Sequence, residues 1–146
     1  LLPLGRHEIT LIMDDGFAGA AMDAVVIEVV DTTPPEIRSA AASPGTLWPP
    51  NHAMVPVAIE VLVTDACDAS PTCRIVSVSS NEVANGRGDG NTARDWRITG
   101  PLTLELRAER AGPGVARVYT IVIECTDASG NVASREVFVT VPHDRR

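Results

Sequence analysis

The chain carries an internal repeat whose two copies lie near its two ends. Residues 7–29, HEITLIMDDGFAGAAMDAVVIEV, align without a gap with residues 119–141, YTIVIECTDASGNVASREVFVTV. Apolar positions and one aspartate recur at a constant offset of 112 residues: Ile9 and Ile121, Leu11 and Ile123, Asp15 and Asp127, Val25 and Val137, Ile27 and Val139, Val29 and Val141. Each copy alternates apolar and polar residues on both sides of a turn segment, which predicts a β-hairpin. Because the offset equals one ordinary domain length, the repeat predicts one full unit preceded by the end of another.

Composition favours an all-β fold. Aromatic residues make up only 3% of the chain, and 11 Pro and 11 Gly interrupt it at short intervals. β-Branched residues are plentiful between these interruptions, which is typical of many short strands joined by turns. The net charge is −7 and there is no Lys, so we expect neither a nucleic-acid partner nor an anionic membrane surface. No apolar run reaches 18 residues, so we expect no membrane insertion either.

The middle of the chain continues the strand pattern. Residues 54–65 place Val55, Val57, Ile59, Val61 and Val63 on one face, and residues 101–109 do the same with Leu102, Leu104 and Leu106. Two adjacent prolines in DTTPPEI indicate a semi-rigid linker, and the polar stretch from 81 to 96 reads as a long loop. The pattern predicts an antiparallel sandwich of about seven strands, immunoglobulin-like in plan. A helix over residues 20–30, which are rich in Ala, is the competing interpretation.

These features give the following division. Residues 1–31 are the terminal hairpin of a preceding unit with the start of the linker, residues 32–143 are a complete sandwich, and residues 144–146 are a tail. The chain starts without Met and without the layout of a signal peptide, so we expect it to be a piece of a longer protein. Such a hairpin exposes apolar faces and open edges, and it therefore needs to pack either on this sandwich or on a neighbouring chain that lacks those strands.

Several motifs in order resemble a known class of module. The segments DTTPPEI, LWPPNHAMVPV, VTDACDASPTC, VSSNE, GRGDGNTARDW, LRAERAG and VYTIVIECTDASGN are together similar to the Ig-like repeats of secreted and surface bacterial proteins, akin to hyalin-repeat and fibronectin-type sandwiches. The resemblance covers residues 31–143. It implies a non-catalytic, extracellular module that occurs in tandem with neighbouring repeats and is often bound to calcium.

Acidic residues are expected to converge at one end of this sandwich. The entering strand and two inter-strand loops should meet there, because each strand reverses direction. The residues concerned are Asp31, Asp65, Asp68 and Asp127. Clustered carboxylates are the hard oxygen ligands that Ca²⁺ requires, which predicts a calcium site at the junction. The alternative interpretation is that Asp65 and Asp127 cap turns, as Asp commonly does.

A second set of candidate calcium ligands lies around the loop GDGNTARD. These are Asp89, Asn91 and Asp95, to which Glu82 could add a carboxylate. Their spacing is similar to the start of a calcium loop, but the glutamate that closes a helix-flanked calcium site at the twelfth position is missing. A solvated loop without metal is the alternative.

The three cysteines are Cys67, Cys73 and Cys125. Cys125 shares the inward parity of Ile121 and Ile123, and Cys73 opens a strand expected beside it, so this pair is the favoured disulfide. Cys67 with Cys73, and Cys67 with Cys125, remain open alternatives. A disulfide would place the chain in an oxidising, secreted or cell-surface environment.

No motif of a hydrolase or a phosphate-binding loop occurs in the chain. We therefore expect a structural or adhesive spacer or a fibre-forming module that calcium stabilises. The alternative is a carbohydrate-binding accessory module of a secreted hydrolase, in which Trp48 and Trp96 stack on the sugar rings of a polysaccharide.

Overall fold

A computed structural model describes residues 2–17, 19–83, 94–112 and 115–144. Within these ranges the chain forms nine β-strands and no helix. The strands are β1 (Gly5–Asp14), β2 (Ala20–Val29), β3 (Glu36–Ser43), β4 (Met54–Thr64), β5 (Thr72–Ser80), β6 (Trp96–Gly100), β7 (Thr103–Arg107), β8 (Arg117–Thr126) and β9 (Val132–Val141). All strand pairs within the sheets are antiparallel. The predicted fold class, an all-β antiparallel sandwich with an extra hairpin, is confirmed.

The chain divides into two compact units, Leu1–Thr32 and Thr33–Arg146. The division falls inside the segment that links β2 to β3. The first unit is the two-stranded sheet β1–β2, which pairs from Gly5 opposite Val29 to Asp14 opposite Ala20. The competing helical interpretation of residues 20–30 is wrong, because β2 occupies Ala20–Val29. Cross-strand pairing with β1 thus overrides the helix propensity of the alanines.

The second unit consists, in its described part, of two sheets. One has the strand order β3-β4-β7-β6 and the other has the order β5-β8-β9. The apolar faces of both sheets contribute to one core cluster. Its fully buried members include Leu104 and Leu106 of β7 and Ile121 and Ile123 of β8. The period-two alternation of β4, β7 and β8 places every second side chain in this core, as the sequence pattern predicts.

One strand was not predicted from the sequence, and it starts at residue 96, where the predicted loop ends. Trp96–Gly100 forms β6 and pairs with β7 through a tight turn at residues 101–102. The neighbouring polar residues 84–93 lie outside the described residues, and with them two predicted metal ligands, Asp89 and Asn91.

Candidate metal site

Two turns, one from each sheet, bring acidic side chains together in the second unit. Asp65 follows β4 directly, and Asp127 follows β8 directly. A bridging hydrogen bond ties the two turns, since the backbone N–H of Ala128 donates to Asp68 Oδ2 at 2.8 Å. The predicted convergence of loops therefore rests on a specific contact between them.

Asp65 organises its own turn with one carboxylate oxygen. Its Oδ1 accepts hydrogen bonds from the backbone N–H groups of Cys67 and Asp68, each at 2.8 Å. This is the local capping that short acidic side chains favour in turns. The other oxygen, Oδ2, is buried and has no hydrogen-bond donor among the described residues. One half of this carboxylate therefore lacks a stabilising partner.

Asp127 is held by the turn that joins β8 to β9. Its Oδ1 accepts from the backbone N–H groups of Ser129 and Asn131 at 2.9 and 2.8 Å, and its Oδ2 accepts from the Asn131 side-chain amide at 2.9 Å. Gly130 permits this tight turn with a φ of 89°. Burial raises the pKa of Asp127, but the hydrogen bonds from Asn131, Ser129 and Gly130 outweigh it, so the pKa lies below the ordinary 3.8.

One carboxylate oxygen of Asp65 and one of Asp127, both in the second unit, lie within 4.8 Å of each other. Asp31, which the sequence also predicts for this site, belongs to the first unit, in the segment that follows β2. All donors in this group are carboxylate oxygens, a set suited to hard cations such as Ca²⁺ rather than to zinc or copper. Within the second unit, Asp65 and Asp127 are thus the predicted residues that the turns bring together.

Asp68, the fourth, serves the turns instead. Its Oδ1 accepts from the backbone N–H of Ser70 at 2.8 Å, in addition to the bond that Oδ2 accepts from Ala128. Both of its oxygens are therefore engaged by backbone donors. The capping role that the sequence left open for Asp65 and Asp127 applies to Asp68 as well.

The Asp127 turn predicts a pH-dependent contribution to stability. Because its pKa is lower in the folded chain than in the unfolded one, the carboxylate form stabilises the fold. This contribution is fully present above the unfolded value of about 3.8 and is lost as the pH falls through the lower, folded pKa. We expect Asp127→Asn to destabilise the protein most at neutral pH and progressively less as the pH drops below about 4.

Urea unfolding in the presence of a chelator, from neutral pH down to about pH 2, measures this difference without interference from metal. Glu136→Gln, which changes an exposed carboxylate of the same hairpin, is the control. A gap between Asp127→Asn and the natural protein that stays constant with pH would contradict the assignment.

The remaining described candidates lie elsewhere. Glu82 Oε2 accepts from the backbone N–H of Ala111 at 2.8 Å, which ties it to the loop after β7. Asp95 is buried and forms an ion pair with Arg117. Neither residue belongs to the group around Asp65, and a partner other than metal is present for each.

A buried network of charges surrounds Arg117, which is 0% exposed. Its guanidinium forms an ion pair with Asp95 and lies 3.5 Å from Glu109 Oε1. Its Nε–H also donates a hydrogen bond to Ser80 Oγ at 3.0 Å. His52 Nδ1 lies 3.0 Å from Glu109 Oε2 at the edge of this network. Sequence reasoning missed it. The available signal was the parity of Arg117, which matches that of the inward-facing Tyr119 and Ile121 and so demands a buried counter-charge.

The cysteines and tryptophans are placed as follows. Cys73 and Cys125 form the disulfide that parity favours, with a Cα–Cα distance of 4.0 Å, and the exposed Cys67 lies outside it. Trp96 packs edge-on against Tyr119, with ring centroids 6.4 Å apart, whereas Trp48 is 40% exposed. Of the two, Trp48 therefore offers the more accessible ring. The carbohydrate-binding alternative stays a prediction.

No helix long and apolar enough to cross a bilayer occurs in the part of the chain that the structure describes. In comparisons with known proteins, no protein-family model, no curated protein and no solved structure matches this chain.

Proposed function

We propose that this chain is a non-catalytic structural module of an extracellular protein, and that Ca²⁺ bound by Asp65 and Asp127 stiffens the turns that follow β4 and β8. The observation that carries the proposal is the buried Oδ2 of Asp65, which has no hydrogen-bond donor among the described residues. A buried polar atom without a partner costs on the order of 1–3 kcal/mol, and more when it is charged. A cation in the carboxylate group would remove that cost.

Charge supports a cation over a water molecule at this position. The Asp127 carboxylate has an oxygen within 4.8 Å of that of Asp65. Asp127 keeps its negative charge down to low pH because its turn donates hydrogen bonds to it, despite burial. Carboxylates this close repel one another, and a cation bound between them offsets that repulsion. A hard divalent ion with oxygen coordination, such as Ca²⁺, suits such a group, and carbonyls and water would complete its shell.

The ion pairs among the other buried charged residues support the structural role. Asp95 and Glu109 each form an ion pair with Arg117 inside the sandwich. Their groups thus serve packing and are not presented to a substrate. The buried disulfide between β5 and β8 supports an oxidising, extracellular location. Together these features suit a module that spaces or joins larger parts of a secreted protein or filament.

Calcium is expected to stabilise the natural protein. A ligand that binds only the folded state adds about 2.7 kcal/mol when its free concentration is about 100-fold above Kd. Thermal unfolding should therefore shift upward in calcium relative to chelator. Asp65→Asn should abolish that shift, because the amide oxygen can still accept from Cys67 and Asp68 while the ligand oxygen is replaced.

Asp68→Asn is the matched control. Asp68 uses both oxygens for turn hydrogen bonds, so this substitution should lower the melting temperature equally with calcium and with chelator and leave the shift intact. An unchanged melting temperature of the natural protein in calcium would refute the proposed site, as would a shift that survives Asp65→Asn.

A further inference from the structure

The hairpin β1–β2 repeats the hairpin β8–β9 in structure as well as in sequence. Shifted by 112 residues, the bounds of β1 and β2 become those of β8 and β9. Every cross-strand pair shifts by the same number of residues. At one end Gly5 opposite Val29 corresponds to Arg117 opposite Val141. At the other end Asp14 opposite Ala20 corresponds to Thr126 opposite Val132. The two hairpins therefore have the same length, register and facing of side chains.

The turns match in their hydrogen bonds. Asp15 Oδ1 accepts from the backbone N–H of Phe17 at 2.8 Å and of Gly19 at 3.2 Å, as Asp127 Oδ1 does from the residues two and four positions on. The N–H of Asp15 donates to the carbonyl of Gly19 at 3.2 Å, and that of Asp127 to the carbonyl of Asn131 at 3.1 Å. Such agreement extends the repeat from strands to turn chemistry.

The two hairpins differ in what covers them. In β8–β9 the face that carries Ile121 and Ile123 is packed within the core that β4 and β7 also build, and β5 pairs along the free edge of β8. Ile123 is 0% exposed, whereas its equivalent Leu11 is 62% exposed. The corresponding face of β1–β2 carries these exposed apolar residues: Ile9, Leu11, Met13, Val25 and Ile27. Within the described residues, β1 has no second neighbour.

We infer that β1–β2 is the closing hairpin of a second sandwich of this plan. The occupant of its apolar face is a sheet equivalent to β3-β4-β7-β6, and a strand equivalent to β5 pairs along β1. The opposite face of the hairpin, which bears Arg6, Glu8 and Glu28 as well as the exposed Ile12, Met22 and Val26, stays in water. This inference rests on the proposed structural role and names its partner, but it requires no calcium.

The differences between the hairpins define the occupant further. Gly5 stands where Arg117 does, so the occupant has no buried carboxylates at the positions of Asp95 and Glu109, which would be left without a counter-charge. Met13 stands where Cys125 does, so an apolar side chain replaces Cys73 in the occupant's edge strand. The occupant is therefore a relative of residues 33–116 and not a second copy of them.

The test supplies an occupant within one polypeptide. Residues 33–116 are placed directly before Gly5, so that β1 follows the added segment as β8 follows residue 116. The added segment carries Cys73→Val together with either Asp95→Asn and Glu109→Gln or Asp95→Val and Glu109→Leu. Hydrogen exchange of the β1 and β2 amides is compared with that in the full chain, and the strands of the original sandwich provide the internal reference.

The two versions of the added segment give two fusion proteins. We expect exchange of the hairpin amides to slow by at least about 100-fold in one or both of them, because the hairpin amides can then exchange only when the sandwich that they join unfolds. Leu11→Asp in the fusion should abolish this protection, since Leu11 is equivalent to the buried Ile123. Ile12→Asp should not, since Ile12 is equivalent to Glu124 on the other face.

No added protection in either fusion overturns the inference, and so does an equal effect of Leu11→Asp and Ile12→Asp. Concentration-dependent protection of the hairpin in the unfused chain would overturn it in favour of a second copy as the occupant. Because no arm contains calcium, failure here is distinct from failure of the calcium site.

Discussion

Arg117→Met is expected to destabilise the sandwich by about 3–5 kcal/mol, because it leaves buried carboxylates without their counter-charge. Asp95, Glu109 and Arg117 are all at most 2% exposed, so water cannot replace the lost guanidinium. The guanidinium also lies 4.7 Å from the centre of the Tyr119 ring, and that contact is lost as well. Urea unfolding followed by tryptophan fluorescence measures the effect, since Trp96 packs on Tyr119.

Arg97→Met is the matched control for this prediction. Arg97 pairs with Glu105 at 2.7 Å on the exposed surface of β6 and β7, and its loss should cost less than about 1 kcal/mol. The combination of Arg117→Met with Asp95→Val and Glu109→Leu should recover much of the stability, because apolar packing can replace a buried ion network. Equal losses for Arg117→Met and Arg97→Met would show that the buried network contributes no more than a surface pair.

Sequence patterns predicted the described strands other than β6. Alternation in β4, β7 and β8 identified the buried positions, and the repeat identified both hairpins. In β6, by contrast, the run WRITG is short and follows a polar stretch, and Ile98 faces solvent. Its strand conformation depends on pairing with β7, which no local pattern reports.

The acidic residues show where prediction from sequence ends. Loop convergence was predictable from topology, and it placed Asp65 and Asp127 together. How each carboxylate oxygen is used was not, because it depends on which backbone N–H groups point at it. In Asp65 one oxygen caps a turn and the other does not, whereas in Asp68 both oxygens cap. Capping by one oxygen therefore leaves the other oxygen of the same side chain without a turn hydrogen bond.

Asp95 illustrates the same limit at longer range. Because its neighbours in the sequence are polar, Asp95 was predicted as a calcium-loop ligand. Its partner in the structure, Arg117, lies 22 residues further along the chain. The alternation of β8 predicts that Arg117 points inward, but it does not predict which carboxylate forms the ion pair with it. A charged residue at a core position is nevertheless a usable signal, since burial requires a counter-charge somewhere in the fold.

Loss of the disulfide is the second large effect expected. Cys73 and Cys125 are directly opposite each other on β5 and β8 and are 52 residues apart in the chain. Replacing both with alanine should lower the free energy of unfolding by roughly 3 to 4 kcal/mol, because the unfolded chain regains the entropy of that closed loop. Cys67→Ala is the control, since Cys67 is exposed and outside the disulfide, and it should change stability by no more than about 0.5 kcal/mol. Urea unfolding of the two variants without reductant measures both values. If the double variant were as stable as Cys67→Ala, the link between β5 and β8 would contribute nothing, and the core packing of Ile121 and Ile123 alone would hold these strands together.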